Sequence, residues 1–169
     1  PIDLVESSSP WLSLSTGAYC YYNSNTSLQN EYGNLYNQYA VQDARNVCPT
    51  GWHVPTDEEW KTLEMYLGMS QAETNATGWR GSTEGGMMKT VGTSQWASPN
   101  LGATNDSELS IVPSGKRGNT GSDDSQIVYA YLWTSTTGHV RELYYNFQTV
   151  NRNANTSQNN GLAVRCLKD

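Results

Sequence analysis

A chain of 169 residues makes one domain, or a domain with a short arm, and buries roughly two-thirds of its unfolded surface. Only 15% of its residues are charged, the net charge is -6 and Lys and Arg nowhere cluster, which removes the electrostatic footprint of a nucleic-acid binder. No apolar run reaches the length of a bilayer span, so direct membrane insertion of this fragment is not expected.

Residues 1–12, with Ser7-Ser8-Ser9-Pro10, read as an N-terminal arm or linker, and residues 13–169 as a single domain. Gly17 to Tyr22 is a β-prone stretch, followed by a polar loop through Asn34. Leu35 to Val41 fits a strand or a helical turn. The strongest helix start is Pro55-Thr56-Asp57-Glu58-Glu59-Trp60, where Thr56 and Glu59 form a capping box and the acidic triplet meets the positive end of the dipole. That helix is predicted over Thr56 to Leu67, with Trp60, Leu63, Tyr66 and Leu67 on one apolar face and Gly68 ending it. A weaker helix is predicted within Ser70 to Thr77.

From Gly78 to Gly121 there is little periodicity. Strands resume at Val128 to Trp133 and at His139 to Val150, where Leu143, Tyr145 and Phe147 are expected to point one way, with Arg141 as the exception. Glu142, Tyr144, Asn146 and Gln148 are expected to point the other way. Leu162 to Leu167 is read as the terminal strand. Phe occurs once against six Trp and eleven Tyr, so part of the interior must be built from rings whose polar ends need partners.

Several ordered landmarks resemble the Fibrobacter succinogenes major paralogous domain family of exported bacterial domains. They are Gly17-Ala-Tyr-Cys-Tyr-Tyr22, Tyr32 to Val41, Cys48-Pro-Thr-Gly-Trp-His-Val-Pro-Thr-Asp-Glu-Glu-Trp60, Val112-Pro-Ser-Gly-Lys-Arg117, Leu132-Trp-Thr-Ser-Thr136 and Gly161-Leu-Ala-Val-Arg-Cys166. Leu109 and Leu162 stand where that family commonly has Phe, which keeps both positions apolar. The resemblance implies an α+β domain related to the C-type lectin-like and formylglycine-generating-enzyme folds, with one or two helices, a small twisted antiparallel sheet and long irregular loops. Fold alone assigns no activity. Some members of this family and of related lectin-like domains are variable proteins of diversity-generating retroelements, which randomise Asn codons in the last exposed segment. Six Asn fall between positions 146 and 160 here, and a polar hairpin whose Asn residues serve turns is the plainer alternative.

Calcium-dependent lectins bring carbonyl and carboxylate oxygens together on one ion through Glu-Pro-Asn or Gln-Pro-Asp and Trp-Asn-Asp runs. Here Ser98 precedes Pro99, and Thr134-Ser135 follows Trp133, so no metal or cofactor is expected. A structural Ca²⁺ at Asp106 or Asp123-Asp124 stays open beside the favoured reading of solvated acidic turns. Formylglycine-generating chemistry needs a close cysteine pair, whereas Cys20, Cys48 and Cys166 are dispersed. A Cys48–Cys166 disulfide, with Cys20 a buried thiol, is favoured over free thiols and suits an oxidising compartment. His53 and His139 are the only imidazoles; His53 reads as structural, and no spacing supports a triad or a zinc site. Glu58 and Glu59 point about 100° apart on a helix and are explained by capping.

No catalytic residue is therefore assigned, and the chain is read as a non-enzymatic binder. Tyr offers rigid amphipathic area and Asn and Ser offer adaptable hydrogen bonds, the chemistry of paratopes. The expected ligand contacts are Thr137, His139, Arg141, Tyr144, Asn146, Asn151, Asn153 and Asn155. The expected partner is a cell-surface protein or a carbohydrate, met by an exported domain whose signal or lipid anchor has been removed ahead of Pro1. The alternatives are a structural subunit of a surface fibre or lipoprotein and, further off, a formylglycine-generating or glycan-processing enzyme.

Overall fold

Local signals set most of the helices, while long-range pairing sets the sheets. The computed structural model describes residues 1–169. Its first half runs β1 (Asp3–Leu4), α1 (Ser8–Leu12), β2 (Ala18–Cys20), a 3₁₀ turn (Tyr22–Ser24), α2 (Thr26–Tyr32), β3 (Leu35–Tyr36), α3 (Gln38–Val41), β4 (Trp52–His53), α4 (Asp57–Tyr66) and α5 (Gln71–Asn75). It continues through β5 (Gly78–Arg80), α6 (Glu84–Met88), β6 (Lys116–Arg117), β7 (Asp123–Asp124), β8 (Tyr129–Trp133), β9 (Val140–Tyr144), β10 (Val150–Asn153) and β11 (Leu167–Lys168). The architecture is α+β: six helices pack around a four-stranded antiparallel sheet ordered β5-β10-β9-β8, a three-stranded sheet β1-β2-β3, and the pairs β11-β4 and β6-β7.

The capping box forms at α4 as expected, with the Thr56 hydroxyl accepting from Glu59 N and Glu59 Oε2 accepting from Thr56 N. A second box, Ser70 with Glu73, starts α5. The inward stripe of α4 differs from expectation. Trp60 is buried, but Tyr66 is 87% exposed, and the other deep positions are Asp57, Lys61 and Glu64. Spacings of three and four still define the face, yet three of its four buried residues are charged, because three arginines of the sheet reach up to meet it.

Strand β9 alternates through Tyr144, and the chain then turns at Tyr145 and Asn146. Arg141 is no exception to the alternation: it sits on the Leu143 side with no exposed surface. Phe147, expected with the core residues, lies beyond the turn and is 40% exposed. The polar stretch before Asn34 folds as α2, started by Asn25, whose side chain accepts from Ser27 N. The terminal strand is broken in two. Gly161 to Ala163 bridges Arg117, Tyr36 and Leu132, and only β11 pairs with β4.

Residues 1–12, expected as an arm, are packed into the domain. β1 pairs in parallel with β2, Trp11 is fully buried, and its indole N–H donates to Asn159 O at 2.7 Å. A lone buried Trp among serines gives no periodic signal, which is why the segment reads as a linker from sequence. Gly161 is fixed by this contact, because a Cβ there would stand 2.9 Å from the Trp11 ring. Two more buried indoles find acceptors, Trp133 donating to Tyr36 O and Trp96 to Ile111 O, whereas the Trp60 N–H has none.

Candidate functional site

The register of the four-stranded sheet sorts its side chains onto two faces. Ala130, Leu132, Arg141, Leu143, Val150 and Arg152 face α4, and a charged cluster lies there. Glu64 accepts from Arg141 Nε at 2.6 Å and from Arg80 at 2.6 Å, while Asp57 accepts from Arg141 at 2.7 Å and from Arg152 at 2.7 Å. Burial works to raise the Asp57 carboxyl, but the Arg152 and Arg141 guanidiniums outweigh it and hold the group well below the usual carboxylate range.

The opposite face is built from cross-strand neighbours. Tyr131 stands beside Glu142, Glu142 beside Asn151 and Asn151 beside Trp79, one residue from each strand. Next to this row, Tyr129 pairs with Tyr144. The rings run on as a continuous ladder. Tyr131 stacks on Tyr129 at 5.2 Å, Tyr129 meets Tyr144 at 4.5 Å, Tyr144 meets Phe147 at 5.0 Å, and Phe147 meets Trp79 edge-on at 4.9 Å. Lys116 closes the other end, its ammonium 4.9 Å from the Tyr131 ring centre.

Glu142 and Asn151 lie in the middle of this face, with Asn151 Nδ2 donating to Glu142 Oε2 at 2.8 Å. Burial raises the Glu142 carboxyl above its ordinary value, against the amides of Asn151 and Asn153 and the charge of Lys116. Asn151 Oδ1 is buried without a donor. A groove of about 220 Å³ opens beside the pair, lined by Lys116, Tyr131, Glu142, Asn153, Asn155 and Asn160 among others. A second hollow of about 320 Å³ shares Asn153 and Asn155 and runs over Gly78 and Asn151. An apolar slot of about 130 Å³ between Trp60, Leu63, Leu109 and Cys166 takes in none of the expected contact residues.

The expected contacts are divided by this geometry. Asn151, Asn153 and Asn155 border the grooves, and Thr137 and His139 lie on the turn next to them, where Thr156 N donates to Gly138 O. Tyr144 ends β9 within the aromatic ladder, and Asn146 lies on the turn that follows it. Arg141 is removed from the surface: it has no exposed area and spends its donors on Asp57 and Glu64. Glu142, Tyr129, Tyr131, Lys116 and Trp79 were not among the expected contacts. The alternation of β9 carries a signal for Glu142, whereas nothing local in sequence links Trp79 to a strand over seventy residues downstream.

A buried ammonium anchors the ladder from below. Lys89 Nζ donates to Leu101 O at 2.9 Å, Phe147 O at 3.0 Å and Tyr144 O at 3.3 Å, and burial brings its amine down to about 8. Lys89→Met keeps the stem and takes the ammonium from the Leu101 and Phe147 carbonyls, while Tyr144 O keeps its bond from Phe147 N. It is expected to cost about 1–3 kcal/mol and to speed amide exchange over Tyr144–Phe147 before the rest of the sheet, measured by hydrogen exchange with urea unfolding.

The cysteines and acidic turns are all accounted for by structural contacts. Cys48 and Cys166 form a disulfide, and Cys20 is buried with its thiol pushed up to about 12, chiefly by burial. His53 bridges Asp169 and Glu59, which raise its pKa. Asp123 pairs with Arg117, Asp124 faces Lys116 at 3.8 Å, and Asp106 accepts from Thr104. No group of three His, Cys, Asp or Glu side chains is placed to hold a metal ion.

These features define an α+β domain that turns an aromatic and amide-rich sheet face outward. The chain belongs to the Fibrobacter succinogenes major domain family, whose model matches residues 2–168. No curated protein and no solved structure matches it.

Proposed function

We propose that this domain is a non-enzymatic ligand-binding module with a C-type lectin-like fold, exported or displayed at the cell surface. Its outer sheet face, together with the adjoining Asn153–Asn155 segment, recognises a protein or a glycan on another surface. The observation that carries this reading is the ladder from Tyr131 to Trp79, which leaves Trp79 37% and Phe147 40% exposed beside two polar grooves. Large rings kept partly in water beside convergent amides are costly to a domain with no use for them, and they are what adaptable binding surfaces employ. The Cys48–Cys166 bridge fits passage through an oxidising compartment. The Asn-rich run fits a segment that tolerates variation: Asn146 and Asn155 are exposed, and Asn151, Asn153 and Asn160 are half-buried around the grooves.

The test is binding of the purified domain to a combined glycan and surface-protein array, with and without chelator. Chelator-insensitive binding that falls about tenfold or more in Tyr144→Ala and Asn153→Ala supports the face, since truncating one hot-spot side chain costs upwards of about 1–2 kcal/mol. Binding untouched by both substitutions puts the site elsewhere, and binding abolished by chelator assigns it to a metal.

A further inference from the structure

Resting on the binding role just proposed, we infer that the row Tyr131, Glu142, Asn151 and Trp79 takes a neutral saccharide, one of whose rings lies on Trp79 and whose hydroxyls engage Glu142 and Asn151. Acceptors in the middle of the row lack donors. Asn151 Oδ1 is buried with none, and the Glu142 carboxylate is met only by the amides of Asn151, at 2.8 Å, and Asn153, although a carboxylate has room for about four hydrogen bonds. A ligand that seats there must bring several donors close together.

Donors of the protein adjoin the same spot, because Lys116 and the Asn153 and Asn155 side chains line the groove with Glu142. Groups that donate and accept at once satisfy both sets, and vicinal hydroxyls have that property. Amines and guanidiniums only donate, and carboxylates and phosphates only accept.

Charge narrows the class further. The ammonium of Lys116 already covers the Tyr131 ring, so a cationic ligand meets a like charge at the place where an aromatic surface would otherwise hold it. An anionic ligand meets Glu142 in a chain of net charge -6, with Lys116 partly committed to Asp124 at 3.8 Å. The upward shift of the Glu142 carboxyl points the same way, since a carboxyl held closer to neutrality suits a hydroxyl better than a cation.

Dimensions agree. Four strands at the usual spacing separate Tyr131 from Trp79 by about 14 Å, which exceeds one sugar ring and suits a short oligosaccharide lying across the strands. Trp79, 37% exposed, then stacks on the ring at one end of the ligand, the acid and amide meet its neighbour, and the buried Tyr131 ring with Lys116 over it walls the other end.

The experiment is calorimetric titration of the folded domain with neutral gluco-, manno-, galacto- and xylo-configured hexasaccharides, with oligolysine and polyglutamate as charged controls. Glu142→Gln, Asn151→Ala and Trp79→Ala are compared with Trp52→Ala, an exposed Trp on a different sheet, and each variant is first checked for an unchanged melting transition. The expected result is that at least one hexasaccharide binds, neither charged polymer does, and affinity falls about tenfold in each row variant and stays unchanged in Trp52→Ala. Saccharide binding indifferent to Glu142→Gln and Asn151→Ala overturns the assignment of the row, and oligolysine binding that depends on Glu142 overturns the neutral class. If no hexasaccharide binds while a protein ligand still needs Tyr144, the saccharide inference fails and the binding role stands. If no ligand of any kind depends on this face, both fail.

Discussion

Replacing Glu64 by Gln is expected to destabilise the domain by about 3–5 kcal/mol, a large part of the roughly 5–15 kcal/mol that holds a domain folded. Glu64 has no exposed surface, and its two oxygens serve Arg80 and Arg141 at 2.6 Å each. The amide keeps the shape but removes the charge, leaving the guanidiniums of Arg80, Arg141 and Arg152 in a low-dielectric interior with Asp57 as the one carboxylate paired to them. Urea unfolding measures the loss as a shift in midpoint at constant slope. A shift worth under about 1 kcal/mol would mean that water reaches the cluster and screens it as it does surface pairs.

The same cluster sets a pH dependence whose sign follows from Asp57. Its carboxyl is depressed in the folded state, so its contribution is complete above the unfolded value of 3.8 and drains away as the pH falls below it. Acid unfolding of the parent should therefore steepen below that value.

Reduction of the Cys48–Cys166 bridge carries the second large effect. The two cysteines are 118 positions apart and join the segment before α4 to the segment before β11, so the bond constrains most of the unfolded chain. Losing it is expected to cost about 2–5 kcal/mol, seen as a lower melting temperature of the Cys48→Ala/Cys166→Ala variant. Cys20 supplies an internal check. Its buried thiol should stay silent towards thiol reagents in the folded parent and react only after denaturant is added.

What could be read in advance depended on the range of the interaction. Helices α4 and α5 were legible because a capping box is written within four residues, and β8 and β9 because alternation is local, although the strand expected to run on to Val150 stops at Tyr144. The disulfide partners were legible because each cysteine sits in a distinctive run. Two-residue strands such as β1, β4 and β6 carry no measurable period, and Asn25 in a polar stretch looked like loop although it caps α2. Arg141 was misassigned for a physical reason. A guanidinium on a strand near the chain's display segment suggests contact with a ligand, and only the arrival of Asp57 and Glu64, over seventy residues upstream, makes its burial affordable. Trp79 was invisible by the same logic, since it joins the site through the pairing of β5 with β10. The site was thus half visible: its amides came from one continuous segment, its platform from four separate strands.

Along β9 and β10, residues alternate between two tasks. Arg141 and Arg152 lock onto α4 from one side of the sheet, while Glu142, Asn151 and Asn153 project from the other. Strand geometry is therefore held largely from beneath, with the buried Val140 and Trp133 adding to it at one end of the upper face. Glu142, Asn151 and Asn153 can change with little cost to the backbone, because the ion pairs that hold it lie on the other side.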